Sequence, residues 1–173
     1  DSGVAALRSS LSIPVVGPGR ASMLTAMMLG QRFSIVTMWR KWFHLYEKTV
    51  RDLGLQANLA SIKSIDIAPD NQALLQGKEE EIFPLLEKSA RQAIDDDGAN
   101  VILLGSTTMH QAHAYLSNAL EVPVINPGPL TYKIVETLLG LGLSHSNVAY
   151  PKSPAPRDVM MHAMLKTARK FDH

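Results

Sequence analysis

Ser106, Thr107 and Thr108 follow one another directly after Gly105, and a helical pattern opens at His110. They close an apolar run, Val101-Ile102-Leu103-Leu104, that reads as a short strand buried on both faces. A strand ending at glycine and turning into hydroxyls brings oxygens and free N–H groups to the carboxyl edge of a sheet. Open α/β sheets bind small anions there. An ordinary Ser/Thr helix cap accounts for the same spacing equally well.

The flanking elements alternate. Residues 33–37 read as a strand, 39–53 as a helix closed by Gly54, and 59–65 as a strand. A long polar helix is expected over 71–96, with Glu79, Glu80 and Glu81 on a solvated face. A helix over 110–120 and a strand at 122–125 follow. Strands alternating with helices predict parallel pairing. After Tyr150, Pro151, Pro154 and Pro156 break structure, and 157–171 can form a terminal amphipathic helix.

One pattern occurs twice. Ile13-Pro14-Val15-Val16-Gly17-Pro18-Gly19 recurs as Val122-Pro123-Val124-Ile125-Asn126-Pro127-Gly128. Each copy opens a helix that stops at a glycine (Gly30, Gly140), and an apolar stretch follows, at 33–36 and 148–150. The repeat predicts an α/β fold of two pseudo-symmetric lobes, parallel sheets flanked by helices and a ligand cleft between them. Residues 17–126 form the second lobe; 1–16 and 127–173 belong to the first. The first lobe is then short of about two βαβ units, on the order of 60 residues, so a longer chain is expected. In this scheme the Asp1-Ser2-Gly3 loop corresponds to Ser106-Thr107-Thr108, and the two loops face each other across the cleft.

Composition narrows the function. A net charge of +1 gives no field that argues for nucleic acid or an anionic membrane. No apolar run approaches the roughly 20 residues of a membrane span. Without cysteine, disulfides, thiolate metal sites and thiol catalysis are excluded within these residues, and a cytoplasmic location is the default. His110 and His113 lie three apart on a helix but have no third ligand at motif spacing, so no metal is expected. His110 could instead assist the Ser106 hydroxyl. Gly17-Pro18-Gly19 lacks the spacing of a nucleotide loop. Trp39, Trp42, Phe43 and Tyr46 form an aromatic stripe that reads as core packing or a subunit interface, and a homo-oligomer is expected. Met23, Met27 and Met28 read as core filler.

The chain resembles the Asp/Glu/hydantoin racemase superfamily, in its hydantoin and allantoin racemase branch. The likeness rests on Asp1-Ser2-Gly3, Ile13-Pro14-Val15-Val16-Gly17 and Arg32-Phe33-Ser34-Ile35-Val36-Thr37. It continues through Ile102-Leu103-Leu104-Gly105-Ser106, Val122-Pro123-Val124-Ile125-Asn126 and Leu139-Gly140-Leu141-Gly142-Leu143-Ser144. The resemblance implies cofactor-independent racemisation or epimerisation of a small hydantoin-like or amino-acid-like carbon acid. Two cysteines, one per lobe, would abstract and return the proton. The first would precede Asp1; at the second position this chain has Ser106.

That departure matters chemically. A thiol is partly ionised near neutral pH, whereas a serine hydroxyl needs a neighbouring base. Three explanations stay open: a variant in which Ser106 only donates hydrogen bonds, an engineered removal of the thiol, or a protein that binds a small acid without turnover. A one-base lyase or decarboxylase is the remaining enzyme class. The resemblance also implies substrate contacts from Asp1, Ser2, Thr37, Met38, Gly105, Thr107, Thr108 and Asn126. For Asn126, capping the helix at Pro127 is at least as strong a reading.

Overall fold

The computed structural model describes residues 1–68, 82–154 and 158–168. Four strands form one parallel sheet: β1 (Phe33–Thr37), β2 (Leu59–Ser64), β3 (Val101–Leu104) and β4 (Val124–Ile125), in the order β2-β1-β3-β4. The helices are α1 (Val4–Ser10), α2 (Pro18–Leu29), α3 (Phe43–Leu53), α4 (Phe83–Asp95), α5 (Ala112–Ala119), α6 (Pro127–Gly140) and α7 (Asp158–Ala168). Single 3₁₀ turns at Arg40–Trp42 and Thr107–Met109 precede α3 and α5. This is the expected α/β class.

The central strands β1 and β3 are buried at every position; β3 is an unbroken apolar run, and in β1 the buried hydroxyls of Ser34 and Thr37 pair with Ser61 and Tyr46. Alternation along the pleat sorts their side chains into two layers. Phe33, Ile35, Val101 and Leu103 join Met23 and Ala26 of α2 and Val50 of α3. Val36, Ile102 and Leu104 join Leu86, Ala90 and Ala93 of α4 and Ala112 and Leu116 of α5. Asn100 ties the entry to β1, its Oδ1 accepting from the N–H groups of Gln31 and Arg32 at 3.0 Å each. Gly54 ends α3 in the left-handed conformation (φ 71°), for which glycine is the natural residue.

The structure departs from the sequence reading at the repeat. The segments 13–16 and 148–150 are not strands. Strand backbone needs a partner ladder, Pro14 has no N–H to offer one, and among the described residues no strand lies beside either segment. Side chains hold them instead. Arg8 donates from Nε to the Val15 carbonyl (2.9 Å) and from a terminal nitrogen to the Tyr150 hydroxyl (2.9 Å), with its guanidinium 5.0 Å from the Tyr150 ring centre. The helices starting at Pro18 and Pro127 pack against each other. Glu79, Glu80, Glu81 and most of the 71–96 helix's first half fall outside the described residues, as do the ends of the 157–171 helix. Residues 158–167 of α7 are exposed.

Candidate active site

After β2 the chain crosses to the other side of β1, so the order β2-β1-β3-β4 reverses direction between β1 and β3. Such a switch point leaves a crevice outside the carboxyl ends of the two strands. A cavity of about 280 Å³ lies there. Its polar groups come from Asp1, from Gly19 and Ser22 of α2, and from the Gly105-Ser106-Thr107 turn. Its apolar wall is built by Met23, Ile35, Leu103, Leu104, Trp42 of the 3₁₀ turn before α3, and the α3 side chains Leu45 and Tyr46.

The turn after β3 is fixed locally. Ser106 is extended (φ −144°, ψ 145°), and its Oγ accepts from the Thr108 N–H at 3.2 Å, capping the 3₁₀ turn. Its hydroxyl also pairs with the Thr108 hydroxyl at 2.8 Å. Both the cap and the cavity readings of this sequence therefore describe one residue: Ser106 caps the turn while lining the cavity. The side-chain hydrogen bonds of Ser106 run to Thr108 and not to His110.

Gly105 is held on both sides. Its N–H donates to the Val36 carbonyl at 2.8 Å, and its carbonyl accepts from the Tyr46 hydroxyl at 2.7 Å. The Tyr46 oxygen lies 2.9 Å from Thr37 Oγ1; with the phenol proton given to Gly105, Thr37 is the donor in this pair. Burial pushes the Tyr46 phenol up from 10.0 more strongly than the Thr37 hydroxyl pulls it down, so it stays protonated at neutral pH. A Cβ at Gly105 would lie 2.6 Å from Thr37 Cβ and 2.8 Å from the Tyr46 oxygen. Only glycine admits this approach.

Asp1 reaches the same cavity from the other side. Its carboxylate accepts from the N–H groups of Gly19 (2.9 Å) and Arg20 (2.7 Å), neutralising the start of α2. A Cβ on Gly17 would fall 2.6 Å from the Asp1 Cγ. With both oxygens bonded to helix N–H groups, this carboxylate serves as a cap. A Cβ on Gly19 would likewise lie 3.3 Å from Asp1 Oδ1.

The remaining expected contacts are distributed differently. Thr37 is fully buried, its hydroxyl occupied by Tyr46. Met38 packs in the core under α4 and α5, because it follows β1 on the face away from the cavity. Ser2 is exposed and outside the cavity lining, and Thr108 stands behind Ser106. Asn126 makes no side-chain cap to α6: its Nδ2 sits 3.5 Å from the His110 carbonyl and its Oδ1 is buried without a partner. The sequence reading missed the α3 wall, treating Trp42 and Tyr46 as core or interface. The periodicity that puts one helix face inward could have flagged it. Among the described residues, no group of three or more metal-ligating side chains gathers, and no helix is long and apolar enough to cross a membrane.

A family model described as Asp/Glu/Hydantoin racemase matches residues 1–135. A protein named hydantoin racemase from Rhizobium meliloti is 32% identical over 158 residues, covering 90% of this chain and 64% of its own length. The crystal structure of allantoin racemase from Pseudomonas fluorescens matches with a TM-score of 0.80 and 29% identity, over 90% of this chain and 66% of that one. Allantoin racemase from Klebsiella pneumoniae matches with a TM-score of 0.75 and 29% identity, over 89% and 63%. The chain thus spans somewhat less than two thirds of the length of these relatives. Its switch-point cavity, its Gly-Ser turn and these likenesses agree: the chain belongs to the Asp/Glu/hydantoin racemase family.

Proposed function

We propose that the protein racemises or epimerises a small carbon acid, a hydantoin or a related amino-acid derivative, without a cofactor. One observation carries the reading: Asp1 and Ser106, from loops that match in the internal repeat, line the same cavity. Family membership supports it, and the names of the relatives supply the substrate class. Residues 17–126 act as one α/β lobe, with 1–16 and 127–173 belonging to the other.

The chemistry follows from the groups present. A hydantoin C5–H is flanked by a carbonyl, so removing its proton puts negative charge on that oxygen. Donors from the Ser106-Thr107 turn, near the opening of a helix, suit that oxygen. Substrate contacts from Asp1, Ser2, Gly105, Thr107, Thr108 and Asn126 remain part of the proposal; Thr37 and Met38 act from behind the cavity wall. Ser106 is an acid/base position with a weak acid in it, since its hydroxyl bonds to Thr108 rather than to a carboxylate or imidazole. The same observation favours a second reading, in which the site binds a small acid without turnover, or serves a one-base lyase or decarboxylase.

Solvent deuterium exchange at C5 of a panel of hydantoins, followed by NMR, separates these. The racemase reading expects exchange in the protein as it stands, and a rise of about tenfold or more in Ser106→Cys, because a thiolate is far more accessible than an alkoxide. Ligand-induced thermal stabilisation without exchange in either protein would establish the binding reading instead.

A further inference from the structure

Tyr46 stands on α3, one layer away from the β3 turn, yet its hydroxyl reaches a backbone carbonyl 59 residues distant in sequence. That carbonyl belongs to Gly105, and the peptide unit it belongs to ends at the Ser106 nitrogen. Peptide units are planar, so fixing the carbonyl direction also fixes the Ser106 N–H, which points the opposite way. The N–H of Gly105 is held independently by Val36, so rotation of the turn about β3 is blocked at two consecutive peptides. The phenol is itself fixed, because Thr37, fully buried on β1, supplies the hydrogen bond to its oxygen. The relay Thr37–Tyr46–Gly105 therefore ties the Ser106 turn to the centre of the sheet and to the wall of the cavity.

We propose that Tyr46 is a positioning residue for the reaction at Ser106: its hydroxyl sets the direction of the Gly105–Ser106 peptide, and with it the placement of the Ser106 Oγ and N–H against substrate. This rests on the racemase reading above. Its proton is committed to Gly105 and its lone pair to Thr37, so the phenol acts through the turn and not on the substrate carbon. A glycine at 105 is the matching condition, since a Cβ there would displace the phenol.

The test is Tyr46→Phe in the full chain, read by C5–H deuterium exchange and racemisation of a monosubstituted hydantoin. The ring, and so the cavity wall, is kept. The expected result is a fall in kcat of about ten- to a hundredfold with KM within about twofold, the pattern of a misplaced reacting group. A packing role alone would lower Tm and leave kcat of the folded protein unchanged. Thr37→Val removes the hydrogen bond to the phenol oxygen without touching the cavity lining, and a smaller fall in kcat with KM unchanged is expected. It decides the matter if Tyr46→Phe does not fold. An active wild type with kcat within twofold in the folded variants overturns the positioning role alone. A wild type that exchanges no carbon-bound hydrogen in any hydantoin overturns the racemase reading, and this inference with it.

Discussion

The carboxylate of Asp1 and the backbone of Gly19 form a cap supplied from outside the helix it caps. Asp1 Oδ1 accepts from the Gly19 N–H at 2.9 Å, and its second oxygen accepts from Arg20 at 2.7 Å. The N-terminal flank of α2 offers no other side-chain cap, since the preceding residue is Gly17. The loop that brings Asp1 to the cavity and the start of α2 are therefore one structural unit.

Removing that cap has a predictable cost. Asp1→Ala leaves the Gly19 and Arg20 N–H groups to water and takes a negative charge from the positive end of α2. The expected loss is about 1 kcal/mol, measured as a lowered urea midpoint with an unchanged slope. A midpoint equal to wild type would show that the loop does not stabilise α2.

Leu45 is 47% exposed and lines the cavity, so it can be shortened with little effect on folding. If the α3 wall receives the substituent of the substrate, Leu45→Ala should raise KM for a hydantoin with a bulky apolar substituent by about three- to tenfold. That corresponds to roughly 1 kcal/mol of lost apolar contact. KM for a methyl-substituted hydantoin should stay within twofold. Steady-state kinetics on the pair of substrates checks this, and an equal change in both would remove α3 from substrate selection.

Acid stability depends on Asp97. Hydrogen bonds from Lys63 and then Ser61 hold its carboxyl below the usual 3.8, outweighing desolvation. The Lys63 ammonium lies 2.6 Å from it, joining β2 to the loop before β3. Because the folded value is below the unfolded one, the unfolded chain takes up the proton first as pH falls. The contribution is complete well above 3.8 and is lost as pH drops through the lowered value. Urea midpoints measured from about pH 6 to about pH 3 should decline less steeply for Asp97→Asn than for wild type. Parallel declines would show that this pair does not contribute to acid stability.

Much of this was legible in the residue order. The four-residue run before Gly105 could hardly be anything but a covered strand, and Gly54 marked the end of α3 to the residue. The hydroxyl turn was visible because Ser106 carries its own cap to Thr108, a contact between near neighbours. What stayed hidden depends on partners far away in the chain. Thr37 looked like a substrate contact at a strand end, but its hydroxyl is consumed by Tyr46, nine residues on and across a layer. Residues 13–16 and 148–150 carry strand-like composition, but strand formation depends on a neighbour that short apolar runs cannot specify. Asn126 has the residue type and position of a cap, yet its amide turns toward the His110 carbonyl and leaves α6 uncapped.

The separation of the core by the sheet has a consequence for how this protein can change. Side chains of α4 and α5 meet the face of the sheet carrying Val36, Ile102 and Leu104, whereas most of the cavity wall belongs to the face carrying Ile35 and Leu103; Leu104 and Trp42 border both. Substitutions behind the sheet and substitutions in the pocket share few partners, so their effects should combine additively. Lineages could then adjust robustness on one side and ligand preference on the other with little epistasis between them.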